Sequence, residues 1–291
     1  MSPPRRPGQD AIRAKGFLKA HLWLMARRVS QVGILAAFLL GPLAGVWLVK
    51  GTLSFSLTLG VLPLTDPFVL LQTLFAGHGA EQTALLGGAL VTGFYLLVGG
   101  RAYCAFVCPM NIVTDAANWL AQRLDTGKGW QPKRETRLWL LGAALVASAV
   151  AGSAAWELVN PVSLLHRGII FGMGLGWTVI LGVFLFDLLL SRRGWCGHLC
   201  PMGAFYGVLG RASLVRVLAP RRMACDDCLD CYAVCPEPHV ITPALKGQSK
   251  GQGVVITSGD CTNCGRCIDV CPKSVFAFGT RFQNINQGDG T

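Results

Sequence analysis

The chain has 291 residues, 52% of them hydrophobic and only 14% charged, with a formal charge of +11. So apolar and charge-poor a composition excludes an ordinary soluble domain. The basic residues follow the ends of apolar runs, so membrane topology accounts for the charge and no nucleic-acid partner is expected. Residues 1–31 form a basic head with Arg5, Arg6, Arg13, Lys15, Lys19, Arg27 and Arg28. Val32–Val49 follows as the first predicted membrane span. The head is long for a removable signal peptide and no small-residue cleavage site follows, so this run reads as an anchor. Residues 53–75 are apolar but interrupted by Pro63, Asp66 and Pro67, which predicts an outer-face, interfacial or partly re-entrant segment. Thr83–Val98, Leu138–Ala155 and Ile169–Ser191 complete a set of four spans, each close to the ~20 residues needed to cross a bilayer.

Six basic residues, from Arg101 to Arg137, lie between the second and third spans, and those from Arg192 to Arg281 follow the fourth. Only Lys50 and Arg167 occupy the other two loops. The positive-inside rule then predicts a multi-pass protein of the bacterial inner membrane with both termini cytoplasmic.

The membrane region reads as a duplication. Leu64-Thr65-Asp66-Pro67 resembles Leu158-Val159-Asn160-Pro161, and an apolar run follows each. Next come Cys104-Ala-Phe-Val-Cys108-Pro109-Met110 and Cys196-Gly-His-Leu-Cys200-Pro201-Met202. Each copy runs from outside to inside, so the repeats are predicted to be parallel, which would bring the two cysteine pairs together. Proline after each second cysteine suits the start of a helix. Met110–Leu124 and Met202–Leu209 are the helices it would open. The fold expected is an α-helical membrane protein with four transmembrane helices in two parallel repeats over residues 32–222. An α+β bacterial-type ferredoxin domain with two [4Fe–4S] clusters would occupy 223–283, and a disordered tail 284–291.

All twelve cysteines fall into four motifs. Cys225, Cys228, Cys231 and Cys235-Pro236 form C-x₂-C-x₂-C-x₃-C-P, and Cys261, Cys264, Cys267 and Cys271-Pro272 repeat it. In such runs three thiolates hold one cubane and the fourth ligates the other. Cys225, Cys228, Cys231 and Cys271 are therefore expected on one cluster, and Cys261, Cys264, Cys267 and Cys235 on the second. Two complete four-cysteine runs argue against a zinc ribbon. A cytoplasmic location argues against disulfides. Cys104, Cys108, Cys196 and Cys200 would suit a third Fe–S site, a redox-active dithiol or a structural role. Short β-prone pieces, Val240-Ile241 and Val254–Ile256, flank a Gly/Lys-rich insertion between the ferredoxin runs.

No C-x-x-C-H motif occurs and no histidine falls within the predicted spans, so no haem is expected. A membrane Fe–S protein then calls for quinol as its lipid-soluble redox partner. Asp66, His78, Glu157 and His166 in the outer loops are candidate quinone contacts. Asp187 is another, as an acid within the fourth span, or else a partner of Arg192 or Arg101.

The basic head, Gly51-Thr52-Leu53, Leu62-Pro63-Leu64-Thr65-Asp66-Pro67, the paired C-x₃-C-P motifs and the ferredoxin runs together resemble NapH, over nearly the whole chain. NapH is the ferredoxin-type membrane subunit of periplasmic nitrate reductase systems. The resemblance implies a quinol dehydrogenase subunit passing electrons to a NapG-like periplasmic Fe–S protein and the other nitrate reductase subunits. NosR, CcoG and MauN proteins share the core, MauN at similar size. They imply the alternative of a maturation or redox-sensing membrane ferredoxin that supports assembly of another redox enzyme.

Overall fold

The computed structural model describes residues 7–283, apart from 127, 128, 131, 173 and 175. Arg5, Arg6, Lys128 and the expected tail 284–291 lie outside the described residues. The head folds as two short helices, α1 (Gln9–Lys15) and α2 (Phe17–Ala20). It leads directly into α3 (Leu22–Ala44), whose 23 residues have a mean hydropathy of 1.3, long and apolar enough to cross a membrane. Helix α3 thus starts and stops earlier than the expected span Val32–Val49 and contains Arg27 and Arg28. Gly45 sets its end. At a φ of +71° its N–H reaches Gly41 O at 2.9 Å, and Val46 N–H reaches Leu40 O, a glycine stop signal.

The interrupted apolar segment after it is a sheet. Strands β1 (Val49–Gly51), β2 (Phe55–Thr58) and β3 (Leu62–Thr65) form an antiparallel meander in that order. Leu59 and Gly60, both with positive φ, make the turn that pairs Thr58 with Leu62. Pro63 is tolerated because β3 is an edge strand, where a missing N–H breaks no ladder.

Asp66 then caps α4 (Pro67–Phe75), its Oδ1 accepting from Phe68 N at 2.8 Å and Val69 N at 3.2 Å. In the second copy Asn160 caps α10 (Pro161–Phe171) through Val162 N at 3.1 Å. The repeated Asx-Pro pair is therefore a helix start used twice, with proline at the position where its lost N–H costs nothing. Each cap helix is followed by an apolar helix: α5 (Gln82–Val98) in the first copy and α11 (Gly176–Leu185), which continues as a π-helical turn over Phe186–Leu190, in the second. Short turns carry the cysteines, α6 (Ala102–Phe106) and a second π-helical turn over Trp195–Leu199. Helices α7 (Met110–Leu124) and α12 (Pro201–Gly210) close the copies, as expected from the sequence. Between the copies lie α8 (Thr136–Ala151) and α9 (Ala155–Val159).

Gln82–Val98, Thr136–Ala151 and Gly176–Leu190 are shorter apolar helices than α3. The third and fourth expected spans are trimmed by glycines with positive φ. Gly152 ends α8 and Gly172 separates α10 from α11. Four full-length spans are not what the helix lengths give.

Contacts divide the chain into two compact units that are not consecutive in sequence. The second unit, Gln31–Phe94 and Val107–Tyr206, holds the meander and most of the apolar helices. Within it α4 packs on α8, α10 on α11, and α7 on the turn at Phe186–Leu190.

The first unit comprises Met1–Ser30, Tyr95–Phe106 and Gly207–Thr291. Its core joins Val217, Ile241, Leu245, Ile256, Val275 and Phe276 to Cys231, Cys267 and Cys271. Strand β4 (Val215–Leu218) pairs antiparallel with β5 (Ala277–Thr280), and Val255 bridges to Leu218 on the other side. Val240-Ile241, expected as β-prone, is instead helical, leading into α14 (Ile241–Lys246). Pro238 and Pro243 lack the N–H a ladder needs but suit first turns. Helices α13 (Asp230–Val234) and α15 (Arg266–Val270) complete this unit.

Candidate functional site

The two ferredoxin runs fold on one backbone plan. In Cys225–Cys228 the third residue, Asp227, is left-handed at φ 56°, and so is Asn263 at 47° in Cys261–Cys264. The residue after the second cysteine is left-handed in both, Leu229 at 64° and Gly265 at 70°. Alternating hands turn successive N–H groups toward one point, a concavity suited to a sulfur-rich anion. Helices α13 and α15 start there and stop at Cys235 and Cys271, where the following proline prevents continuation. Gly265 answers a second constraint, since an added Cβ would lie 2.3 Å from Trp23 Cγ.

This repetition forms two cavities. One is lined by Cys225, Cys228, Cys231 and Cys271. The other is lined by Cys235, Cys261, Cys264 and Cys267. In each, three cysteines of one run meet the fourth of the other. Burial pushes the Cys231 thiol up to about 12, and the nearby Cys271, Cys225 and Cys228 sulfurs push the same way. Burial raises Cys261 to about 11. It raises Cys267 well above the ordinary thiol range, with Cys264 and Cys235 adding to the effect. Four such sulfurs cannot all ionise side by side without a cationic core between them. All-cysteine rings of this kind fit a polynuclear iron–sulfur core.

The basic head clasps this unit. Gly8 N–H donates to Asp230 Oδ2 at 2.9 Å, and Lys15 Nζ to Ile268 O at 2.6 Å. Trp23 N and Leu24 N, in the first turn of α3, donate to the two carboxylate oxygens of Asp269 at 3.1 and 2.9 Å. Arg27 Nη1 donates to Cys264 O at 2.6 Å. Asn263 ties the end of α5 in place, its Nδ2 donating to Val98 O at 3.0 Å and Val215 O at 2.8 Å. Arg101, 1% exposed, pairs with Glu237 at 2.8 Å and donates to Asp260 O at 3.0 Å. Burial opposes its charge, but Glu237 and Cys104 outweigh that and hold the guanidinium pKa above its usual value. Sequence reading passed over Glu237, Asp260 and Asp269, whose only signal was adjacency to cysteine motifs, and took Arg27 and Arg101 for topology-setting charges.

Of the C-x₃-C-P cysteines, Cys104 lies on α6 in the first unit, while Cys108, Cys196 and Cys200 belong to the second. Cys108 is buried and the other three are half-buried. Gly203 N–H, in the first turn of α12, donates to Cys200 Sγ at 3.4 Å. The start of the Cys196 turn is held by Asp187, whose Oδ1 accepts from Trp195 N at 2.9 Å. Asp187 is fully buried and its Oδ2 has no partner among the described residues. The arginines expected beside it go elsewhere: Arg192 to Asp125 and Arg101 to Glu237.

The outer-loop candidates are not the solvated side chains that a loop position suggests. Asp66 is 4% exposed, with Tyr206 OH donating to its Oδ2 at 3.0 Å. Burial raises its pKa to about 6 and Glu157 adds to the rise, against the lowering effect of the Phe68, Val69 and Tyr206 hydrogen bonds. Glu157 is half-buried, accepting from Ser54 Oγ at 2.5 Å and Asn160 Nδ2 at 3.1 Å. Fully buried His166 has no hydrogen-bond partner for either ring nitrogen among the described residues, and Phe38 packs edge-on against it. Burial lowers its pKa to about 4. His78 alone is exposed, bonded to Gly152 O at 2.9 Å.

Asp66 is open to a direct test. Because its folded pKa lies above the unfolded value, it stabilises the fold below about pH 4, and that contribution is lost as pH rises through about 6. The full difference is on the order of 3 kcal/mol. Asn160 shows that asparagine keeps the cap. Asp66→Asn is therefore expected to flatten the fall in stability between pH 4 and 7, and Asp66→Ala to cost about 1–2 kcal/mol for the lost cap. Chemical denaturation in detergent across that range is the measurement.

Comparison with known proteins follows the same cysteines. Residues 224–275 match the family described as 4Fe-4S dicluster domain, and residues 82–126 and 170–222 each match the 4Fe-4S binding domain family, one segment per copy of the repeat. The methylamine utilization ferredoxin-type protein MauN of Methylorubrum extorquens is 57% identical over 95% of this chain and 96% of its own length. MauN of Paracoccus denitrificans is 55% identical over 94% and 95%. The ferredoxin-type protein NapH of Escherichia coli is 46% identical over 96% and 97%. No solved structure matches. Identity at this level along nearly the full length of both sets of relatives means that the chain belongs to the NapH/MauN family of ferredoxin-type proteins.

Proposed function

We propose that this protein is a membrane electron-transfer protein that draws electrons from quinol and passes them, through [4Fe–4S] clusters, toward a partner redox enzyme. The carrying observation is the pair of four-cysteine cavities. Cys225, Cys228, Cys231 and Cys271 would hold one cluster, and Cys261, Cys264, Cys267 and Cys235 the other. When bound, the clusters supply storage of single electrons and no bond-making chemistry. Cys104, Cys108, Cys196 and Cys200, inside the segments that match the 4Fe-4S binding domain family, are assigned to further Fe–S ligation.

Membrane embedding rests on where apolar side chains are left exposed. Leu85, Leu86, Phe94 and Leu97 on α5, Trp139, Val146 and Val150 on α8, and Trp177, Leu185 and Leu189 around α11 are more than 40% exposed. So much exposed apolar surface is unusual for a soluble protein and suits lipid contact. We read α3, α5, α8 and the Gly176–Leu190 helix as four spans. The distribution of basic residues between them supports a reading with both termini on the cytoplasmic side of the inner membrane.

Oxidising a quinol releases two protons with its two electrons, so its site needs acceptors. Asp66 is a carboxylate above about pH 6, Glu157 lies close enough to raise its pKa, and the His166 ring, kept neutral by burial, would hydrogen-bond the quinol through its unused nitrogens without taking up a proton. These three are the assigned quinol contacts, and Asp187 is assigned to holding the Cys196 turn. Reduced quinol analogue added to purified protein should bring up [4Fe–4S] EPR signals. Clusters that stay oxidised under excess quinol, with partner proteins present, would sink this reading.

On the destination of the electrons, the higher identity to MauN than to NapH favours methylamine utilization over nitrate reduction. In that role the protein would support maturation of the partner enzyme. A Cys104→Ser chain that leaves newly made partner inactive, while partner already made keeps its electron supply, would distinguish maturation from steady-state transfer to a nitrate reductase through a NapG-like protein.

A further inference from the structure

The two cavities share a backbone plan but not an electrostatic setting. Around the one lined by Cys235, Cys261, Cys264 and Cys267, three guanidinium groups are almost wholly buried: Arg101, Arg27 and Arg216, 1%, 2% and 2% exposed. Arg27 donates to the carbonyl of Cys264 itself. Arg101 donates to the carbonyl of Asp260, next to Cys261. Arg216 Nη1 donates to Ser258 O at 3.1 Å. A further arginine, Arg266, lines the cavity. The acid lining it, Glu237, is paired with Arg101, and His239 Nε2 lies 3.1 Å from Asp260 Oδ2.

The cavity lined by Cys225, Cys228, Cys231 and Cys271 has the opposite character. Asp226 and Asp227 are the charged residues among those lining it. Asp230, 6% exposed, stands in the next turn. Arg222, just before this run, directs its Nη1 to Gln252 O, and Lys246 pairs with Asp227 at an exposed position. Lys15 is near sulfurs of both sets, Cys271 and Cys267, but donates to Ile268 O and is only partly buried.

Adding an electron makes an Fe–S core more negative, and buried cations favour that state while nearby carboxylates oppose it. We propose that the two clusters are unequal, the one on Cys235, Cys261, Cys264 and Cys267 having the higher reduction potential and accepting the first electron, because Arg27, Arg101 and Arg216 are buried around it while Asp226 and Asp227 face the other. Arg101 also extends this field to Cys104, three residues along the same chain segment, so that a C-x₃-C-P motif and the higher-potential cluster share one buried cation. The proposal rests on the electron-transfer reading above.

An EPR-monitored redox titration of the full-length protein tests it. Two separate reduction steps are expected. Arg27→Gln, which keeps a donor for Cys264 O but removes the charge, should move the higher step to lower potential and leave the lower one in place. Asp226→Asn, at an exposed position where folding is not at stake, should raise the lower step alone. A single step shared by both clusters, or an Asp226→Asn shift confined to the higher step, would overturn the proposal while leaving the electron-transfer reading intact. Clusters that no reductant can reduce would overturn both.

Discussion

A chain carrying both Cys235→Ser and Cys261→Ser is expected to lose the iron of one ferredoxin-domain cluster, as each single variant does, and to keep the iron of the other. Cys235 belongs by sequence to the first run and Cys261 to the second, but both line the same cavity. If each fourth cysteine served its own run, the two substitutions would strike different clusters and the double variant would lose both. The outcomes differ by a whole cluster of four irons, far outside the error of iron and sulfide quantitation. Each single variant is expected to lose one cluster, because three thiolates and a serine hydroxyl hold a cubane poorly at neutral pH. The surviving EPR signal in the double variant should come from the cluster on Cys225, Cys228, Cys231 and Cys271. Loss of both clusters in the double variant, with the fold intact by circular dichroism, would overturn the crossed assignment. The physical basis for crossing is the packing of α13 against α15. Each of these short helices ends in a cysteine, Cys235 or Cys271, that the packing presents to the neighbouring loop rather than to its own.

What the amino-acid order revealed depended on how local the governing physics was. Cysteine spacing is read directly, because a cluster demands several thiolates within one tight loop. The Asx-Pro pairs were equally legible as a repeat, since a cap and an N1 proline act within four residues, and both Asp66 and Asn160 cap as their position suggests. The meander was not legible. Its β2 strand buries Ser56 at 5% exposure and leaves Phe55 at 47%, the reverse of the usual apolar-inward alternation, so period-two reasoning fails there. Helix ends depended on single glycines at 45, 152 and 172, which interrupt apolar runs without altering their hydropathy. The surroundings of the clusters were the least legible. Arg27 and Arg101 read as ordinary positive-inside charges, and nothing in a linear pattern says that one would reach Cys264 O and the other Glu237 from more than a hundred residues away. The same holds for the orphaned His166 nitrogens, which a loop-like polar residue does not announce.

Asp269→Ala is expected to release the N-terminal head and to destabilise the first unit by about 2–4 kcal/mol. Asp269 accepts from two consecutive N–H groups in the first turn of α3, Trp23 and Leu24, where no intrahelical partner exists and where a negative charge also meets the positive end of the helix. Alanine would leave both donors without a partner at a part-buried site. It would also remove the nearby anion from Arg27 and Lys15, whose charges favour ionised Asp269 against the opposing effect of burial. Asp269→Asn retains an acceptor but loses the charge, so about half the cost should return. The head is basic and contains Arg13, Lys15 and Lys19, so trypsin reports its release directly. Wild type should resist cleavage at these sites, Asp269→Ala should be cut early, and Asp269→Asn should fall between. The clasp also holds the cysteine loop, because Trp23 fills the space that Gly265 leaves open and Arg27 grips Cys264 O. Head release should therefore precede loss of the cluster on Cys235, Cys261, Cys264 and Cys267 as denaturant is raised. Equal protease resistance in wild type and Asp269→Ala would mean that the head contributes nothing to this unit. Cluster loss before head release would mean that the loop is held by its ligands alone.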